Sequence, residues 1–521
     1  MNDELPYWIY EDKLIFKPEF NEELDEYYNV IAQYNTLIFS NYDDLEITMK
    51  TKNEFDINYK KNYKMSRFNR PLKLTENIKN VSFGDNFDQK IELIENIKNV
   101  SFGMIFNKPL ELTKNITHLS FGHWFNQKIE LTENVTNLSF GNDFDQEIEL
   151  TDKITNLKFG DDFDQKIKLT QNITHLSFGH CFNQKIKLTN KITNLSFGDD
   201  FNQKIKLTEN ITNLSFGNYF NQEIKLTNNI KNLSFGDNFD QPLELTEKIT
   251  NLSFGRDFNQ KIELTENITN LSFGRDFNQK LELTENITHL SFDWYFNKPL
   301  KLTENIKNLS FGDDFNQKLE LTENITHLSL GYNFNQELEL TDKITNLSFG
   351  DCFNKKIELT ENITHLTLGY NFNQELELTD KITNLSFGDN FNKKIELTEN
   401  IKNLSFGNYF NQKIELTENV KNLSFGNYFN QKIELIENIK NLSLGEKFNK
   451  QTKLVKNLTL YDNKKIINYL TNQVENLTLL YYYDKIKIKN LPNSIKKIKV
   501  KNSNKIKIKI KKPRKAEIEF I

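Results

Sequence analysis

Residues 201–219 read FNQKIKLTENITNLSFGNY, and residues 258–276 read FNQKIELTENITNLSFGRD. This unit recurs without insertion, and its first phenylalanine returns at twenty equal intervals of 19 residues from Phe68 to Phe448. A fixed period of this length predicts a solenoid, in which each unit packs only against the units before and after it. We number the positions of each unit 1–19 from this phenylalanine.

The apolar residues of each unit stand at positions 1, 5, 7, 11, 14 and 16. The segments I-E-L (positions 5–7) and L-S-F (positions 14–16) each alternate apolar, polar, apolar, as a strand with one buried face does. We therefore expect two strands per unit and an all-β, right-handed solenoid of about twenty 19-residue coils, with degenerate capping coils at both ends. The phenylalanines at positions 1 and 16 should stack into two ladders.

Glycine is confined to position 17. All nineteen glycines stand there, including Gly84, Gly103, Gly122 and Gly445, and the single exception is Asp293. Glycine adopts a positive φ without strain, and Asp is among the few other residues that tolerate it. We therefore expect a structural turn with positive φ where the chain leaves the L-S-F strand.

Positions 4 and 6 carry columns of charged residues, as in Lys128-Ile129-Glu130 and Lys166-Ile167-Lys168. Such columns are typical of a solvated strand face, and a recognition stripe is the alternative.

The unit L-x-F-G-x-x-F-N-x-x-I resembles the FNIP repeat over residues 68–448, most closely where proline stands at position 4, as in FNKPLELT from Phe106. The resemblance implies a leucine-rich-repeat-like fold and a protein of amoebal or large DNA virus type. The units here are shorter than the FNIP units that we would expect. Some relatives join an F-box to such repeats, which implies an alternative function as a substrate-recognition adaptor of a cullin-type ubiquitin ligase.

The two ends of the chain depart from the unit. Residues 1–67 are interpreted as an N-terminal cap, with a divergent F-box as the alternative because Leu5-Pro6 could open one. Residues 68–448 form the repeat solenoid, and residues 449–521 form irregular repeats and a basic C-terminal cap. Residues 485–515 hold fourteen Lys or Arg and no acidic residue. Lysines on a last strand prevent edge-to-edge aggregation, and binding of nucleic acid or an anionic membrane is the less favoured alternative.

Variation among the units is concentrated at positions 18 and 19. Large aromatic and basic residues stand there, and such residues are typical anchors of protein interfaces. The Asp293 unit is the first candidate, because it lacks the glycine and carries two aromatics. The candidate partner-binding residues are His123, Trp124, Tyr219, Arg256, Arg275, Trp294, Tyr295, Tyr332, Tyr370, Tyr409 and Tyr428.

Nothing in the sequence points to catalysis. The seven histidines occupy only positions 13 and 18, and no phosphate-binding, dinucleotide-binding or zinc-protease motif occurs. The sequence therefore predicts no catalytic residue, no metal site, no cofactor and no small-molecule substrate.

The function expected is a monomeric, non-enzymatic scaffold that binds one or more protein partners. Its 67 basic and 72 acidic residues give a formal net charge of -5, which identifies no partner. The chain starts with neither a basic nor an apolar signal region, and no apolar stretch is long enough to span a bilayer. We therefore expect an intracellular protein.

Overall fold

The computed structural model describes residues 5–50, 63–450, 455–461, 470, 473–480, 487–488, 491–501, 509–510, 513 and 516–520. The chain divides into two compact parts, Met1–Asn267 and Ile268–Ile521. From here on, "first unit" and "second unit" mean these two parts, and the 19-residue repeats are called coils. Both are parallel β-solenoids of leucine-rich-repeat type, which confirms the predicted fold class.

In the described part of the first unit, thirteen strands form one sheet. β1 pairs antiparallel with β2 in a hairpin, and every later strand pairs in parallel with the strand before it. A 3-10 turn at Asp25–Tyr27 and two short helices, α1 (Tyr28–Ile31) and α2 (Leu45–Lys50), flank β3. The strands are β1 (Tyr7–Tyr10), β2 (Lys13–Phe16), β3 (Thr36–Phe39), β4 (Asn80–Ser82), β5 (Asn99–Ser101), β6 (His118–Ser120), β7 (Asn137–Ser139), β8 (Asn156–Lys158), β9 (His175–Ser177), β10 (Asn194–Ser196), β11 (Asn213–Ser215), β12 (Asn232–Ser234) and β13 (Asn251–Ser253).

The second unit repeats this arrangement. Parallel pairing runs from β14 through β25 and on to β27 and β29, while β26 and β28 form a separate parallel pair. The strands are β14 (Asn270–Phe273), β15 (His289–Phe292), β16 (Asn308–Ser310), β17 (His327–Leu330), β18 (Asn346–Phe349), β19 (His365–Leu368), β20 (Asn384–Phe387), β21 (Asn403–Ser405), β22 (Asn422–Ser424), β23 (Asn441–Leu444), β24 (Asn457–Tyr461), β25 (Asn476–Leu480), β26 (Lys487–Ile488), β27 (Lys497–Lys501), β28 (Lys509–Ile510) and β29 (Glu517–Phe520).

Each regular coil forms one strand, at positions 13–15 or 13–16, and the prediction of a second strand at positions 5–7 is wrong. The reason lies in the distance between coils. Phenylalanine rings of neighbouring coils are 5.3–5.7 Å apart at position 16, beside the sheet, and 5.9–6.2 Å apart at position 1. We infer that the coils diverge away from the sheet, so that positions 5–7 do not reach the separation of about 4.8 Å that parallel strands need.

The two phenylalanine ladders form the core. Position-1 rings such as Phe182 are fully buried, and position-16 rings such as Phe178 are 3% exposed. The two rings lie 3.8 Å apart and are nearly parallel, with an interplanar angle of 11°. Leu or Val at position 14 and Ile or Val at position 11 are also buried throughout the regular coils. The predicted ladders are present in both units, except that leucine takes position 16 at Leu330, Leu368 and Leu444.

The predicted positive φ at position 17 is wrong, because no glycine among the described residues has one. These glycines are required by close contact between coils instead. A Cβ atom at Gly122 would overlap the carbonyl group of Gly103 and lie 2.8 Å from the backbone nitrogen of Met104. The exception, Asp293, follows a strand that extends to Phe292, and its N–H donates to the Phe273 carbonyl (3.1 Å).

Polar side chains satisfy the backbone where the sheet does not. The position-2 Asn or Asp accepts a hydrogen bond from the position-2 N–H of the next coil, as Asn126 does from Asp145 (3.1 Å). The position-3 Gln146 donates to the same Asn126 oxygen (2.9 Å). This arrangement explains the F-N-Q motif, because Asn and Asp share the acceptor and Gln supplies a donor.

The aromatic stacking of the regular coils continues into residues 5–50. Phe16 stacks on Phe39 (5.3 Å), and Phe39 stacks on Phe68 (3.9 Å), as position-16 and position-1 rings do in later coils. Residues 51–62, which belong to the predicted N-terminal cap, lie outside the described residues.

Only part of the basic stretch 485–515 is described, namely residues 487–488, 491–501, 509–510 and 513. There Lys497 of β27 forms an ion pair with Glu519 of the last strand, β29 (2.8 Å).

Candidate interaction surfaces

Positions 18 and 19 form a turn that follows each strand, and these turns stack on one another. The N–H at position 19 donates to the position-18 carbonyl of the coil before it, as Trp124 does to Met104 and Tyr219 to Asp199 (both 2.8 Å). The side chain of an Asp or Asn at position 18 often accepts a hydrogen bond from the backbone of the next turn. The Asn218 N–H donates to Asp199 Oδ1 in this way (3.1 Å). The backbone of the turns is therefore held by the neighbouring coils, which leaves the side chains to project outwards.

The predicted aromatic anchors are on the surface. Their exposed fractions lie between 42% and 52%, which is high for large aromatic side chains and leaves a ring face or edge open to a partner. These residues are Trp124, Tyr219, Trp294, Tyr295, Tyr332, Tyr370, Tyr409 and Tyr428.

The structure brings Arg275, Trp294 and Tyr295 together in one cluster in the second unit. The guanidinium carbon of Arg275 lies 5.6 Å from the centre of the Trp294 ring and 5.4 Å from that of Tyr295. The two aromatic rings are 6.2 Å apart. Arg275 Nε is also paired with Asp276 (3.0 Å), and Trp294 Nε1 donates to Asp313. These contacts orient all three side chains while the rings stay exposed.

A second aromatic pair lies further along the same unit. Tyr409 and Tyr428 occupy position 19 of adjacent coils, and their rings stack at 5.1 Å with an interplanar angle of 15°. Tyr332 and Tyr370 are two coils apart, with Asp351 at the same position between them, so the repeat does not place them side by side.

The candidate residues of the first unit are more dispersed. His123 Nε2 lies 3.3 Å from Asp143 Oδ1, beside the exposed Trp124. Arg256 Nε pairs with Asp257 of its own turn (2.8 Å). The half-buried Cys181 lies among aspartates, and burial together with Asp162 and Asp200 raises the pKa of its thiol. This turn therefore disfavours a reactive thiolate.

The FNIP Repeat family matches more than half of the chain. The matched segments are residues 125–150, 144–181, 182–207, 201–226, 220–246, 258–282, 277–302, 296–321, 315–352, 353–379, 372–397, 391–415 and 410–436. The chain belongs to the FNIP repeat family.

Two solved structures resemble this FNIP repeat chain. The first is CroV588, a giant-virus protein whose structure is described as a novel circular LRR protein. It is 30% identical, with a TM-score of 0.59 over 99% of this chain and 100% of that chain. The second is YopM from Yersinia enterocolitica WA-314, which is 14% identical, with a TM-score of 0.49 over 79% of this chain and 88% of that chain. No curated protein matches the sequence.

The FNIP repeats also form a surface that sequence reasoning missed, on the solvent face of the sheet. Positions 13 and 15 alternate with the buried leucine and phenylalanine, so their polar side chains stand in two rows. Between β19 and β23 these rows line a shallow groove of about 300 Å³, from His365 to Ser443. The signal in the sequence is the alternation of Asn or His at position 13 with Ser or Thr at position 15 of most strands.

No group of three or more His, Cys, Asp or Glu side chains that could hold a metal ion occurs in the described part of the chain. Within the same residues, no helix has the length and apolar character needed to cross a membrane.

Proposed function

We propose that this FNIP repeat protein is a non-enzymatic scaffold that binds a protein partner through the stacked turns at positions 18 and 19. Solenoids of leucine-rich-repeat type are typical protein-interaction folds, which supports the general function. The single observation that carries the specific proposal is the exposed cluster of Arg275, Trp294 and Tyr295.

Trp, Tyr and Arg are the residues most often found to dominate the free energy of binding at protein interfaces. Trp294 and Tyr295 are 43% and 42% exposed, so a partner could still remove apolar area from water. The guanidinium group of Arg275 already lies over both rings, and this arrangement lowers the entropic cost of ordering these side chains on binding.

A photo-crosslinking amino acid placed at Tyr295 tests the proposal in host-cell lysate. Asn390 stands at the same repeat position and is half-buried, so the same substitution there is the matched control. We expect a protein adduct from position 295 that position 390 does not give. Adding the Trp294→Ala change should abolish that adduct while circular dichroism stays unchanged. Equal adducts at both positions, or an adduct that survives Trp294→Ala, would show that this cluster is not the binding site.

The adaptor alternative depends on residues 1–67. The described part of this segment forms the β1–β2 hairpin, β3 and short helices. The alternative predicts that cullin-ligase subunits co-purify with the full chain. An intracellular location and a monomeric state also remain predictions.

A further inference from the structure

Position 6 breaks its usual pattern in four consecutive coils of the first unit. Glutamate stands there in fourteen of the twenty coils, and lysine stands there in six. Four of those six are consecutive: Lys168, Lys187, Lys206 and Lys225. Position 4 of the first three of these coils is also lysine, at Lys166, Lys185 and Lys204. We name these seven residues the lysine field.

A second position changes in the same coils. Position 9 is acidic in fifteen of the other sixteen coils, but Gln171, Asn190 and Asn228 replace the acid here and only Glu209 remains. At position 6 the run of lysines ends on both sides, because Glu149 stands there in the coil before and Glu244 in the coil after. The changes at positions 6 and 9, together with the lysine that is common at position 4, make this region of the surface positive, whereas positions 6 and 9 are mostly acidic elsewhere.

The side chains of the lysine field are free to bind. All seven lysines are exposed. Within the described residues, none of them forms an ion pair or a side-chain hydrogen bond with the protein. Their columns follow the stacking of the coils, and the Phe163, Phe182, Phe201 and Phe220 rings beneath them are 6.0–6.1 Å apart. The two rows therefore present positive charge at regular steps along the solenoid.

We propose that the lysine field binds the phosphate backbone of single-stranded nucleic acid. Release of counterions from phosphates lets lysines alone carry affinity, whereas lysine is depleted at protein–protein interfaces. The isoleucines between the two rows, such as Ile167 and Ile186, are half-buried, so no apolar side chain projects to enter a membrane interface. A flexible single strand can follow the row of charges, and because the field has no aromatic side chain for base stacking, its affinity should come from phosphate contacts alone and be independent of base sequence.

The chain offers a matched pair of variants. Lys166→Glu/Lys185→Glu/Lys204→Glu changes position 4 of three consecutive coils inside the field. Lys394→Glu/Lys413→Glu/Lys432→Glu makes the same change at the same position of three consecutive coils where position 6 is Glu. Glu occupies position 4 naturally at Glu147, Glu223, Glu337 and Glu375, so both variants should fold.

The test is the fluorescence anisotropy of a labelled oligothymidine of about 20 nucleotides, titrated with the full chain at several salt concentrations. We expect the field variant to lose about tenfold or more in affinity and the slope of log K against log salt to become shallower by about 2, since each phosphate contact contributes about 0.7. The control variant should stay within about twofold of the unaltered chain.

Three results would overturn the proposal. The first is an absence of oligothymidine binding at low salt, and the second is an equal loss in both variants. The third is tighter binding, through the same lysines, of duplex DNA, polyglutamate or phosphatidylserine vesicles than of oligothymidine.

Discussion

From Gly103 onwards, the position-17 glycines such as Gly198 lie directly against the backbone of the coil before them. At Gly198 an added Cβ would overlap the carbonyl group of Gly179 and lie 2.7 Å from the backbone nitrogen of His180. Both are backbone groups fixed by the neighbouring coil, so a rotamer change cannot relieve the overlap.

We therefore expect Gly198→Ala to lower the urea midpoint of unfolding by separating two coils. A cost of about 1–3 kcal/mol is expected, as for other overpacked cores. Asp293→Gly is the control, since it restores the usual residue and should not destabilise the chain. An unchanged midpoint for Gly198→Ala would contradict the close-contact explanation.

A second prediction at the scale of the residue concerns the position-2 ladder, the row of hydrogen bonds that each position-2 side chain accepts from the next coil. Asn126 Oδ1 accepts from the Asp145 N–H (3.1 Å) and from Gln146 Nε2 (2.9 Å). Asn126→Leu removes this acceptor and both hydrogen bonds, and should cost about 1–3 kcal/mol because the Asp145 N–H loses its partner. Asn126→Asp keeps the acceptor and should cost far less. Hydrogen exchange at the Asp145 amide measures the effect directly, and equal exchange in both variants would show that the ladder is not protective.

At the scale of the element, the two phenylalanine ladders differ in what they must fill. Position-1 rings span the wider separation, 6.1 Å between Phe201 and Phe220, while position-16 rings span 5.6 Å between Phe197 and Phe216. Leucine occurs at position 16 in three regular coils but never at position 1. A smaller side chain is therefore tolerated where neighbouring coils are closer.

We expect Phe201→Leu to destabilise the chain by about 1 kcal/mol or more beyond Phe197→Leu, because a larger cavity remains at position 1. Urea unfolding followed by far-ultraviolet circular dichroism compares the two variants. Equal losses would show that coil separation does not set the requirement for phenylalanine.

The N-terminal coils should weaken at high pH. Burial and the hydrogen bond from Tyr27 to Glu22 (2.8 Å) raise the pKa of Tyr27 to about 12, from 10.0. The folded chain therefore holds this proton more tightly than the unfolded chain does. The resulting stability is complete below pH 10 and is lost as the pH rises towards 12.

This loss can be followed by the fluorescence of Trp8, in a background where Trp124 and Trp294 are replaced by phenylalanine. The urea midpoint should fall between pH 9.5 and 11.5, and Tyr27→Phe should reduce that fall. Lysine titration affects both proteins equally, so an identical fall in the two would exclude Tyr27 as the cause.

At the scale of the whole molecule, stability is expected to be a sum of coil-to-coil contacts. Deleting residues 125–143 removes one complete coil and would place β6 directly against β8 in the usual register. We expect the shortened chain to fold with an unchanged circular dichroism spectrum per residue and a slightly lower urea midpoint. Deleting residues 125–134 instead removes half a coil, and should cause aggregation because the buried positions no longer align. Normal folding of the second deletion would contradict the repeat model.

Much of this architecture can be derived from the sequence because the repeat restates it some twenty times. The 19-residue period and the burial of positions 1, 11, 14 and 16 follow from spacing and apolarity alone, and the resemblance of the L-x-F-G-x-x-F-N-x-x-I motif indicated the FNIP family. The exposure of the position-18 and position-19 aromatics also follows, since the turn after a strand has no core to enter. The clustering of Arg275 with Trp294 and Tyr295 does not follow, because it depends on the side-chain directions of adjacent turns.

Only the tertiary structure decided how the coils meet. The alternation at positions 5–7 is the same as at positions 14–16, yet only the second segment forms strands. We attribute this difference to the coil spacing, which is narrower at position 16 than at position 1. Likewise, a glycine required by close contact and a glycine required by positive φ are identical in sequence, and the backbone of the neighbouring coil distinguishes them at Gly122. The sequence of a single 19-residue coil encodes which residues are buried, whereas the way neighbouring coils meet determines which segments pair as strands.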